Sequence, residues 1–89
     1  MILFKMSKKQ KLLKRFLELP ARKDLTFSEL DCLLSSCGYR KIEGSGSAVK
    51  FYHQEKDSLI NLHKPHPGNI LKIYLIKQIQ IKLKEACDG

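Results

Sequence analysis

An α/β (α+β) domain, with the element order α-α-β-β-β-α and a three-stranded antiparallel sheet packed on helices, is the fold class this sequence predicts. Three observations lead there. Apolar residues recur about every 3.6 positions up to Leu34, about every second position between Tyr39 and Leu62, and about every 3.6 positions again from Ile73. Turn formers mark both changes, Gly38 at the first and Pro65, Pro67 and Gly68 at the second. The 89 residues suffice for one modest core without a metal or disulfides, so residues 1–89 read as a single domain.

The first helix is expected from Ser7 to Leu19, where Leu12, Leu13, Phe16 and Leu19 share one face, lysines fill the other and Pro20 is the stop. A polar connection runs to Asp24. Thr26 opens the second helix with Glu29 three residues later, the spacing of a capping box, and Phe27, Leu30, Leu33 and Leu34 form its apolar stripe. Gly38 supplies its C-terminal cap. Tyr39 and Ile42 begin an extended segment, and Val49 and Phe51 then alternate with Lys50 and Tyr52 as a second strand, which His53 either extends or leaves as a turn residue. QEKDS at 54–58 is a polar turn, and Leu59, Ile60 and Leu62 supply a third strand, so these two strands form a hairpin. Asn69 is the expected cap of the last helix, with Ile73, Ile76, Ile79 and Leu83 on one side. The many β-branched residues lower that helix's own propensity, so packing must hold it.

Seventeen Lys and Arg against nine Asp and Glu give a net charge of +8, which favours an acidic partner: nucleic acid, an anionic membrane or an acidic protein. Cys32, Cys37 and Cys87 are odd in number and lack CxxC spacing, so neither a disulfide framework nor a zinc site is expected. No apolar run approaches the roughly 18–20 residues of a membrane span, and MILFKM is too short for a signal-peptide core. The reading is of a cytoplasmic chain with reduced thiols and no cofactor.

Gly44, Ser45, Gly46 and Ser47 precede the second strand, where successive amides and hydroxyls can converge on an anion or simply form a turn. His63 and His66 lack a third metal ligand in sequence reach, which leaves hydrogen bonding to a ligand or anchoring of their loop. Lys8, Lys9, Lys11, Lys14 and Arg15 make one basic group, and Lys64, Lys72, Lys77, Lys82 and Lys84 a second. The aromatic residues, Tyr74 included, fall mostly on apolar faces and are expected in the core rather than as stacking platforms.

LTFSELDCLLSSCGY at 25–39, EGSGSAVKF at 43–51 and LHKPHPGNILKIYLIKQI at 62–79 together resemble the HicA toxin family of bacterial toxin and antitoxin modules. Residues 25–85 form the matching core, and residues 1–24, with the basic helix, resemble an extension carried by one branch of the family. The resemblance implies a double-stranded-RNA-binding-like fold, metal-independent endoribonuclease activity on mRNA, and neutralisation by a HicB-type antitoxin. It also implies that the working residue sits at position 48, where the family carries His or, in sequences with this longer N-terminus, commonly Arg. Here that residue is Ala48, which has no proton to exchange and no charge. An inactivating replacement, chemistry done by other groups, and a naturally inert member all remain open.

His63 and His66 are the other catalytic candidates, and Ser45, Gly46, Ser47, Lys50, Lys64 and Lys72 the RNA-binding ones. Two further classes stand beside the nuclease: a non-catalytic RNA-binding module, and a protein-interaction domain whose charge meets an acidic partner.

Overall fold

A computed structural model describes residues 8–65 and 68–86 and has the element order α1 (Lys8–Phe16), α2 (Phe27–Ser36), β1 (Arg40–Glu43), β2 (Ala48–His53), β3 (Ser58–His63) and α3 (Ile73–Ala86). This is the expected order. The strands form one antiparallel sheet in the order β1-β2-β3. Val49 and Phe51 of β2 and Ile60 and Leu62 of β3 face the helices, as alternation requires, and their core continues into Phe16, Leu30, Leu33, Leu34, Ile76, Ile79 and Leu83.

The start of α2 is fixed by side chains. The Thr26 amide donates to Glu29 Oε1 at 3.0 Å, and the Glu29 amide donates to Thr26 Oγ1 at 3.2 Å, which closes the capping box. The other Glu29 oxygen pairs with Arg15 of α1 at 2.8 Å, so one carboxylate caps a helix and ties it to its neighbour. At the other end Cys37 is the cap and Gly38 follows with φ +96°, while the Tyr39 amide reaches back to the Leu34 carbonyl at 2.9 Å. That pattern ends a helix in a left-handed residue, and glycine meets it without steric cost.

Several expectations need correction. α1 ends at Phe16, before Leu19, which is exposed next to a cis Leu19–Pro20 bond. Asn69 does not cap α3, which begins only at Ile73. Its carbonyl instead accepts from the Phe27 amide at 2.8 Å, the Leu71 amide donates to Leu25 at 2.8 Å, and Ile70 bridges to Thr26. That extended pairing holds 69–71 out of helical geometry; the Lys72 carbonyl accepts the first bonds, from Leu75 and Ile76.

Leu59 points away from the helices, because the inward set of β3 is Ser58, Ile60 and Leu62. His53 is a buried strand residue whose ring meets Tyr39 edge-on at 5.2 Å and accepts from the Lys56 amide through Nδ1. Cys37 is buried and disulfide-bonded, where a reduced thiol is the expectation; Cys32 is a half-buried free thiol.

Candidate functional site

The β1–β2 turn and the end of β3 meet at one corner of the sheet. The Gly44 amide donates to the Ala48 carbonyl at 2.9 Å and the Ala48 amide to the Ser45 carbonyl at 3.1 Å, with Gly46 at φ +60° allowing the reversal. The amides of Ser45, Gly46 and Ser47 find no acceptor among the described residues. All four residues from Gly44 to Ser47 are exposed. The turn therefore presents three unspent donors next to a strand, as an anion-binding nest does.

Ala48 lies directly opposite His63 in the β2–β3 register. The Lys64 amide bonds to the Ser47 carbonyl at 2.9 Å, which makes the neighbouring Ala48–His63 pair the closer, non-hydrogen-bonded type. Side chains at such positions stand about 4.5–5.5 Å apart at Cβ. On the other side, a Cβ placed on Gly44 would lie 3.5 Å from the Ala48 methyl. Position 48 is thus flanked by a histidine of β3 and by a bare glycine just past the end of β1, which leaves room for a long side chain.

His63 is exposed, and its Nδ1 lies 3.3 Å from Ser47 Oγ. Lys64 Nζ donates to Glu43 Oε1, and this cation holds the Glu43 carboxyl below its ordinary value of 4.5, with Lys41 adding to the effect. Lys50 projects from the open face of the sheet, opposite Ile42 and Asn61 and two residues along from Ala48. Lys72 is exposed just before α3 and lines a pocket with His63, Lys64, Ile70 and Tyr74. Ser45, Gly46, Ser47, Ala48, Lys50, His63, Lys64 and Lys72 therefore gather around one corner, whereas His66 lies outside the described residues.

The first basic group sits elsewhere: α1 packs on α2 and α3, on the helical side of the sheet. Among the described residues no group of three His, Cys, Asp or Glu is placed to hold a metal, and no helix is long and apolar enough to cross a membrane.

Tyr74 and Ile70 belong to this corner and were not among the expected site residues. Tyr74 is 63% exposed, against the expectation of a core residue. At about 100° per residue it stands about 165° round the helix from the centre of the Ile73, Ile76, Ile79 and Leu83 stripe, on the opposite face; that angle is the signal by which the sequence could have marked it.

A small basic α+β domain with an exposed Gly and Ser turn facing a histidine is the class of protein that these features define. A family model described as HicA toxin of bacterial toxin-antitoxin matches residues 27–86. The chain belongs to the HicA toxin family. Searches of curated proteins and of solved structures gave no match.

Proposed function

We propose that this chain carries the site of a metal-independent endoribonuclease that acts on mRNA in the cytoplasm, with the side chain at position 48 missing. The observation that carries the reading is the Ala48–His63 pair beside the Ser45–Ser47 amides, in a chain of the HicA toxin family. In the reaction, the 2'-oxygen of one nucleotide attacks its own 3'-phosphorus while its proton leaves to a base. The 5'-oxygen departs and takes a proton from an acid, giving a 2',3'-cyclic phosphate and a 5'-hydroxyl.

His63 suits the proton steps. When Nδ1–H of the neutral ring donates to Ser47 Oγ, Nε2 is free to accept a proton; in the imidazolium Nδ1–H keeps that partner and Nε2–H carries the proton to give. One imidazole does not do both at once, and the residue at 48, directly across the strand, is where the second group belongs. Charge growing on the phosphate would be met by the turn amides, Lys50, Lys64 and Lys72. His66 remains a candidate for the same chemistry.

A HicB-type antitoxin is the partner that family membership supports, and the net charge of +8 suits an acidic one. The absence of any proton-exchanging group at Ala48 favours a second reading, in which the same corner binds RNA and cuts nothing. An Ala48→Arg chain separates the two. It is expected to release 2',3'-cyclic phosphate ends from unstructured RNA, and His63→Gln in that background is expected to stop it. Unchanged cleavage in the double variant removes His63 from the chemistry.

A further inference from the structure

The pocket between the end of β3 and the start of α3 has two kinds of wall. Pro65, Ile70 and the exposed Tyr74 are apolar or aromatic, with Leu75 behind them, while His63, Lys64 and Lys72 bring donors and positive charge. It encloses about 280 Å³, close to the lower end of the roughly 300–1,000 Å³ typical of small-ligand sites. That size fits one ring system rather than a folded segment. A flat π surface beside cations is what a nucleotide needs, the ring for its base and the cations for its phosphates. The neighbouring groove past Leu59 and Ile81 differs: its lining is largely apolar, with Lys82 its one cation.

We propose that this pocket receives one unpaired nucleobase stacked on Tyr74, with the adjoining phosphates on Lys64 and Lys72. The inference rests on the RNA reading above and deepens it, because it makes the preferred ligand a single strand or a loop rather than a continuous duplex. In a duplex the base faces are taken up by their neighbours, and Tyr74 has nothing to stack on. Because His63 lines the same pocket, the stacked base would hold its own ribose and phosphate next to the Ala48–His63 pair.

The test measures affinity for an unstructured single-stranded RNA oligonucleotide and for a blunt duplex of the same length, using the unaltered chain, Tyr74→Phe, Tyr74→Leu and Tyr74→Ala. Loss of a base stack is worth about 1–3 kcal/mol, a factor of about 5 to 150 in Kd. Single-strand binding is expected to weaken by that factor in Y74A and Y74L and to stay within about twofold in Y74F, with duplex binding little changed in all. Y74L keeps the apolar bulk, so it separates ring stacking from packing if the alanine chain folds poorly.

Single-strand affinity undiminished in Y74L, or lost equally from single strand and duplex, overturns the proposal and leaves the RNA reading standing. The same follows if RNA binding is intact while binding of an acidic antitoxin protein is lost. An unaltered chain that binds neither RNA overturns both.

Discussion

Glu43 and Lys64 stand on opposite sides of the candidate site, one ending β1 and the other following β3, and their ion pair closes the corner. A carboxylate whose folded pKa is depressed stabilises the fold above its unfolded value, and that contribution disappears as pH falls through the folded one. The Glu43 carboxyl is expected to titrate below 4.5 in the unaltered chain and to return towards 4.5 in Lys64→Met, as followed by side-chain chemical shifts. A midpoint unmoved by K64M would mean that the pair does not persist in solution. Asp24, held at about 2 chiefly by its hydrogen bond from Arg22, behaves in the same sense, its contribution fading between pH about 4 and about 2.

At the scale of elements, Gly38 joins α2 to the sheet in a way that no other residue type matches. Its φ is +96°, and a Cβ there would approach Nε2 of the buried His53 to 2.9 Å. Gly38→Ala is therefore expected to destabilise the domain by about 1–2 kcal/mol, measured by chemical denaturation, where a glycine-to-alanine change in a relaxed position would stabilise it. Thr26, Glu29, Gly38 and the alternation of Val49 and Phe51 are legible in the sequence because each acts through neighbours a few residues away. Asn69 is not, since its carbonyl is claimed by Phe27, far off in the chain, and no local pattern announces that pairing. The candidate site divides in the same way. The Gly and Ser turn is visible as a local text, but the facing of Ala48 by His63 depends on strand register, and the exposure of Tyr74 on which helix face the core takes.

Over the whole molecule, two groups of cations lie apart: Lys8, Lys9, Lys11 and Lys14 on the helical side, and Lys50, Lys64 and Lys72 at the corner. Each phosphate neutralised on a single strand contributes about −0.7 to the slope of log affinity against log salt. Lys72→Ala is expected to reduce the slope by about that amount, and Lys9→Ala to leave it nearly unchanged. Equal effects would mean that RNA follows net charge rather than this corner.

Under the proposed function, the chemistry missing from this chain belongs at position 48, across the strand from His63. The direct measurement compares cleavage of an unstructured RNA by the unaltered chain, Ala48→Arg and Ala48→His, with circular dichroism confirming the fold of each. A restored group that donates charge or a proton at the phosphate is worth about 10²-fold or more in rate. The prediction is that at least one variant cleaves about 100-fold faster than the unaltered chain and leaves 2',3'-cyclic phosphate ends. Folded variants that bind RNA but cut no faster than the unaltered chain would contradict it.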